Sequence, residues 1–171
     1  MRNIRVPIAK LVLGLTLGLV AGTASASDIS GTISSTLTIT DDSQLVGDVT
    51  CRVTGAACIA LGASGISLKL NGFSITGPVD PAAGCGGATV LAESGIDVSN
   101  QRGVVIQGPG VVQRLRGSGI RLNVSTRVLV TLVTASTNCA SGIWVIAGSD
   151  HEIEANTAVR NGSAVNPCGG I

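Results

Sequence analysis

Ser94-Gly95-Ile96-Asp97-Val98, Ser118-Gly119-Ile120-Arg121-Leu122 and Ser141-Gly142-Ile143-Trp144-Val145 are three copies of one pattern, and their spacing decides the fold. The isoleucines stand 24 and 23 residues apart, and Gly169-Gly170-Ile171 repeats the motif after 28 more. Ten residues past each of the first three isoleucines comes another β-branched residue: Ile106, Val130 and Ile153. Thr134-Ala135 and Asn138 return 23 residues later as Thr157-Ala158 and Asn161. Internal distances held across several copies mark a repeat architecture.

Within each copy the first and third residues of the Ile-x-Val/Leu triplet are apolar and the middle one varies. Alternation of period two puts the apolar pair on one face of a strand and the middle residue on the other. Ile96, Val98, Ile106, Ile120, Leu122, Val130, Ile143, Val145 and Ile153 are therefore expected inward. Asp97, Arg121 and Trp144 are expected outward. A third, weaker strand is expected near residues 111–113 and 134–136. One repeat of this size cannot bury its own apolar face, whereas stacked repeats share a continuous core, so a solenoid of strands follows.

Composition agrees. Only 12% of residues are charged, 24 are glycine, and Phe73 and Trp144 are the sole aromatics. Val, Ile, Leu and Ala in short runs between Gly, Ser, Thr and Asn make strands and corners rather than helices. No stretch past the first twenty-odd residues keeps a helical period, so an all-β chain is expected.

Those first residues have another purpose. Arg2, Arg5 and Lys10 precede an uncharged apolar run, Leu11 to Gly22, and Ala24-Ser25-Ala26 supplies small residues for cleavage. This is the order of a secretory signal peptide. The apolar run is shorter than the ~20 residues that span a bilayer. Residues 1–26 are thus expected to be a signal peptide and Ser27 to Ile171 one domain, secreted or periplasmic. Residues 27–95 would form the N-terminal rungs and 96–171 the regular repeats of 23–28 residues. No membrane insertion is expected once the leader is cleaved. Three of the eleven basic residues lie in the leader and none of the ten acidic ones. The remainder is slightly acidic, which gives no electrostatic case for nucleic acid.

Five cysteines in an exported chain favour disulfides over metal ligation, and a single His leaves little to complete a zinc set. Cys51 and Cys58 are expected to bond and staple the N-terminal rungs. For the other three, a Cys139–Cys168 pair across adjacent turns is the weaker expectation, leaving Cys85 over. No metal site and no cofactor are expected.

The segment Ile66-Ser-Leu-Lys-Leu-Asn-Gly-Phe-Ser-Ile-Thr-Gly77, preceded by the two early cysteines, resembles the opening of secreted bacterial right-handed parallel β-helix repeat proteins. Lys69 and Phe73 stand where that family carries an acid and a His, so no role attached to those positions transfers. The Ser-Gly-Ile rungs and Asn156-Thr157…Asn161 are similar to repeats shared by pectate lyases, polygalacturonases and periplasmic copper-site maturation proteins, the pectate-lyase-like solenoid superfamily. The resemblance spans about residues 29 to 171. It implies a single-stranded right-handed parallel β-helix and leaves activity open, since this fold carries many chemistries. The chain stops at Ile171 in repeat register without a polar cap, and it is read as C-terminally truncated.

For function, the outward positions Asp97, Arg121 and Trp144 line up in the repeat and form the candidate ligand-binding column. An indole beside a guanidinium and a carboxylate suits an extended polysaccharide. Asp150-His151-Glu152-Ile153-Glu154 is the densest ionisable run. Read as one strand it puts three carboxylates on one face, the raw material of glycoside hydrolysis or calcium binding. Read plainly it is a solvated turn and outer strand, and that reading is preferred. Arg114 and Arg116 read as a solvated loop, and Asp41-Asp42 as a turn. The Asp pairs with Gly-His-Gly of polygalacturonases are missing, as are the Asp/Arg set of pectate lyases and the Asp-Pro-His of alginate epimerases. No catalytic residue is assigned. A binding or structural solenoid is expected, the alternative being a polysaccharide lyase, hydrolase or epimerase with its catalytic rungs at or beyond the C-terminus.

Overall fold

A computed structural model describes residues 26–79, 85, 90–163 and 169–171. The expected signal peptide and Cys168 lie outside these residues. Thirteen strands and no helix are found among them. They are β1 (Ser27–Ile33), β2 (Leu37–Ile39), β3 (Ser43–Cys51), β4 (Ile59–Leu61), β5 (Ser67–Lys69), β6 (Ser74–Thr76), β7 (Ile96–Ser99), β8 (Val105–Gln113), β9 (Ile120–Thr126), β10 (Leu129–Ser136), β11 (Ile143–Ser149), β12 (Glu152–Glu154) and β13 (Thr157–Val159). One sheet has the order β1-β3-β5-β8-β10-β12, with β6 and β13 beside it; the other runs β11-β9-β7-β4-β2. Every pairing is parallel.

In chain order the strands alternate between the two sheets, with β5/β6 and β12/β13 each taken as one interrupted strand, so each strand meets its partner after one circuit, or rung. This is an all-β, parallel arrangement compatible with a β-helix or another solenoid. The repeat distances in the sequence are the lengths of these circuits. Ile96 pairs with Ile120 and Ile120 with Ile143, while Ile106 pairs with Val130 and Val130 with Ile153. The third strand is not separate in the middle rungs. β8 and β10 run on through residues 111–113 and 134–136 after a register shift, whereas the same stretch splits into β5/β6 and β12/β13 elsewhere.

Side chains stack in columns because the rungs stack in register. Ile59, Ile96, Ile120 and Ile143 form one buried column; Val49, Ile75, Val112 and Ala135 form another. Seven of the nine expected inward residues are buried. Val145 pairs with Leu122 as expected, yet is 40% exposed, and Ile153 is half-buried. Each sits on an edge strand, β11 or β12, so a neighbouring rung covers it on one side only.

The Ser-Gly-Ile motif now has a physical reading. Ile fills the core. A Cβ on Gly119 would fall 2.7 Å from the Gly142 carbonyl oxygen and 2.8 Å from Asn138 Nδ2. Only glycine lets the neighbouring rung come that close. The corners are equally regular: Arg114, Thr137 and Arg160 all have φ between 54° and 59° at successive rungs.

Asparagine side chains tie the rungs together. Asn138 Nδ2 donates to the Val112 carbonyl at 3.1 Å while Oδ1 accepts from the Leu115 N–H at 3.1 Å. Asn161 does the same one rung on, reaching the Ala135 carbonyl and the Asn138 N–H, and Asn156 reaches the Val130 carbonyl and the Val133 N–H. Each amide thus accepts an N–H at a corner or register shift and donates to a carbonyl of an adjoining strand.

Among the described residues the cysteines form two bonds. Cys51–Cys58 joins residues whose Cα atoms are 5.8 Å apart, as expected. Cys139 bonds to Cys85, 54 residues earlier, and not to Cys168. Closeness of adjacent turns in the sequence does not by itself fix the pairing. The observed bond instead ties the long connection between β6 and β7 to the rung containing β10 and β11.

Candidate functional site

The second sheet builds the candidate column. β7, β9 and β11 hold Asp97, Arg121 and Trp144 in direct register, flanked by buried core residues on β7 and β9 and by buried Ile143 and exposed Val145 on β11. The rigid alternation of the strands brings the three together on neighbouring rungs, ~4.8 Å apart.

Their environments differ. Arg121 Nε donates to Asp97 Oδ1 at 2.6 Å, and Ser99 Oγ donates to Asp97 Oδ2 at 2.8 Å. The Asp97 side chain is only 10% exposed, against 23% for Arg121. Asp97 points to the outer side of its strand but is not open to a ligand as an exposed column required. Its carboxylate is consumed in holding the guanidinium, and the guanidinium covers it. Arg121 keeps Nη1 and Nη2 without an acceptor among the described residues. Trp144, half-buried, is its register neighbour on the other side. What remains open is therefore an Arg–Trp pair, with Asp97 as the residue that positions it.

A second ion pair lies on the preceding corner. Glu93, buried, accepts from Arg116 Nε and Nη2, both at 2.6 Å, and from the Gly55 N–H at 2.6 Å. Arg116 is thus no solvated loop residue; Arg114, two residues away, is exposed at a corner and shares nothing with it. The contrast with Arg121 is useful. Arg116 is engaged through two nitrogens and is structural, while Arg121 is engaged through one. Glu93 gave no sign in the sequence beyond standing next to Ser94.

The acidic run does not form one three-carboxylate face. β12 covers only Glu152–Glu154, whose two carboxylates point outward, while Asp150 is exposed at a corner with φ 61°. Asp42 lies in the expected bend between β2 and β3. Its Oδ1 accepts from Ser67 N–H at 2.8 Å and Ser67 Oγ at 3.0 Å, which holds its carboxyl below the usual range. Among the described residues no three His, Cys, Asp or Glu side chains gather as a metal site would require.

Compared with described protein families, with curated proteins and with solved structures, the chain finds no match. The two cysteine bonds themselves suggest an oxidising environment, extracellular or periplasmic.

Proposed function

We propose that the chain is a right-handed parallel β-helix, exported from a bacterial cell, that binds an extended polysaccharide along its second sheet without turning it over. The return of the chain to each of two parallel sheets on successive circuits supports the coil, and its hand follows from the strong preference of parallel crossovers for right-handedness. The observation that carries the binding reading is the register pairing of half-exposed Trp144 with Arg121, whose Nη donors are unspent. An indole face packs on the C–H surface of a sugar ring. The adjacent guanidinium donates in a fixed fork to hydroxyl or carboxylate oxygens. Rigid strands present both groups without a large ordering cost. An open face suits a polymer better than a small molecule, which is normally enclosed.

The test is to incubate the purified protein with polyuronate and with neutral polysaccharides, measure retention, and assay for new chain ends. Retention lost in Trp144→Ala and Arg121→Gln, with no new ends, is the expected result. Equal retention in wild type and both variants removes the site. Release of unsaturated or reducing ends would establish instead a polysaccharide-active enzyme.

A further inference from the structure

We propose that His151 is a pH-sensitive latch that holds the rung of β11 and β12 onto the one before it. His151 is the only histidine in the chain. The pairings Ser67–Val105, Val105–Leu129 and Leu129–Glu152 put it in the column of Ile66, Val104 and Val128, all buried. An ionisable ring thus occupies a place that earlier rungs fill with aliphatic side chains. Its Nδ1 accepts the Val128 N–H at 3.3 Å. The neutral ring then carries its proton on Nε2, which is buried and has no partner. That nitrogen packs over Gly148, where a Cβ would lie 2.8 Å from it. Among the described residues no oxygen accepts a hydrogen bond from Nε2.

Protonation puts an N–H on Nδ1, facing the Val128 N–H. It removes the bond, adds a second donor without an acceptor and places a charge in an apolar column. The charged groups on the elements around the ring do not compensate. Arg127 is exposed on the preceding corner; Asp150 accepts from Ser149 Oγ; Glu152 and Glu154 face outward from β12; none forms an ion pair with the ring. The latch is closed with the neutral ring and opens when the ring takes up a second proton. Because Trp144 lies on the same rung, acid would loosen the strand that carries it, whatever that residue binds.

The measurement is amide hydrogen exchange of the folded chain at pH 7.5 and 5.0, normalised for intrinsic exchange, read at the Glu152 N–H, which donates to the Val128 carbonyl at 2.9 Å. The Leu129 N–H, bonded to the Val104 carbonyl one rung inward, serves as the internal control. Loss of one such bond predicts a fall of about tenfold in protection at Glu152 at the lower pH, and none at Leu129. His151→Val, which restores the residue of the two preceding rungs, and His151→Gln, which keeps an acceptor that does not titrate, should both abolish the fall. Protection independent of pH in the wild type overturns the latch. So does an equal fall in both variants, which would assign the effect to Asp150, Glu152 or Glu154.

Discussion

Two acidic side chains show how position along the coil sets what a charge does. Glu93 is buried and receives three hydrogen bonds, while its partner Arg116 is 31% exposed. Removing the base strands a buried carboxylate; removing the acid frees a cation that can turn to water. Arg116→Met should therefore cost about 3–5 kcal/mol, and Glu93→Gln distinctly less, as read from urea unfolding. Equal losses would mean that Glu93 is not enclosed. Asp42 is exposed and acts through pH. Its folded carboxyl is held below the ordinary value by the Ser67 N–H and hydroxyl. Its contribution to stability is complete above about pH 4 and is lost as pH falls through the lowered value. Asp42→Asn should flatten the stability curve below about pH 4. An unchanged curve would show that Ser67 donates elsewhere. Neither role was legible in the sequence. Period-two alternation sorts side chains into inner and outer faces, but it does not say which outer ones neighbours will cover. That is why Asp97, expected on an exposed outer face, is nearly closed off.

At the scale of the strand and corner, much more could be read in advance. Ile96, Ile120 and Ile143 announced their column because a buried strand face tolerates only apolar side chains, and the fixed circuit length returns them to the same place. The recurrence of Asn138 as Asn161 also had a cause, since each amide reads the corner one rung below. The sequence carries no sign of which backbone groups those amides take, because the corner that exposes them is defined by φ and not by residue type. Asn138 is fully buried, and its loss would take the acceptor from the Leu115 N–H and one donor from the Val112 carbonyl. Asn138→Ala should cost about 3 kcal/mol, and Asn156→Ala, half-buried on the edge rung, about 1 kcal/mol. Thermal or urea unfolding of the two variants decides this; similar losses would contradict the ladder as the tie between rungs.

Across the whole molecule, each rung touches only its neighbours, so long-range ties matter more than in a globule with one shared core. Cys85–Cys139 closes a loop of 54 residues and Cys51–Cys58 one of 7. By loop-closure entropy the first contributes about 4 kcal/mol and the second about 2.4 kcal/mol. Cys85→Ser should accordingly destabilise more than Cys51→Ser in denaturant, and the reverse order would mean that the long tie does not restrain the unfolded chain. The longer bond escaped the sequence reading because connectivity among widely spaced cysteines is set by the stack and not by spacing. The polysaccharide reading belongs to this scale too, since it needs a straight, rigid face. The open Arg121–Trp144 pair spans one rung spacing, about 4.8 Å, so the indole and the guanidinium meet adjoining sugar units. The most direct test is to titrate a length series of oligosaccharides, from one unit to six, against the fluorescence of Trp144. The account predicts a weak response for the single sugar, affinity that climbs steeply to the two- or three-unit length, and little gain beyond. Tight binding of one unit with no gain in length, or no response at any length, would contradict it.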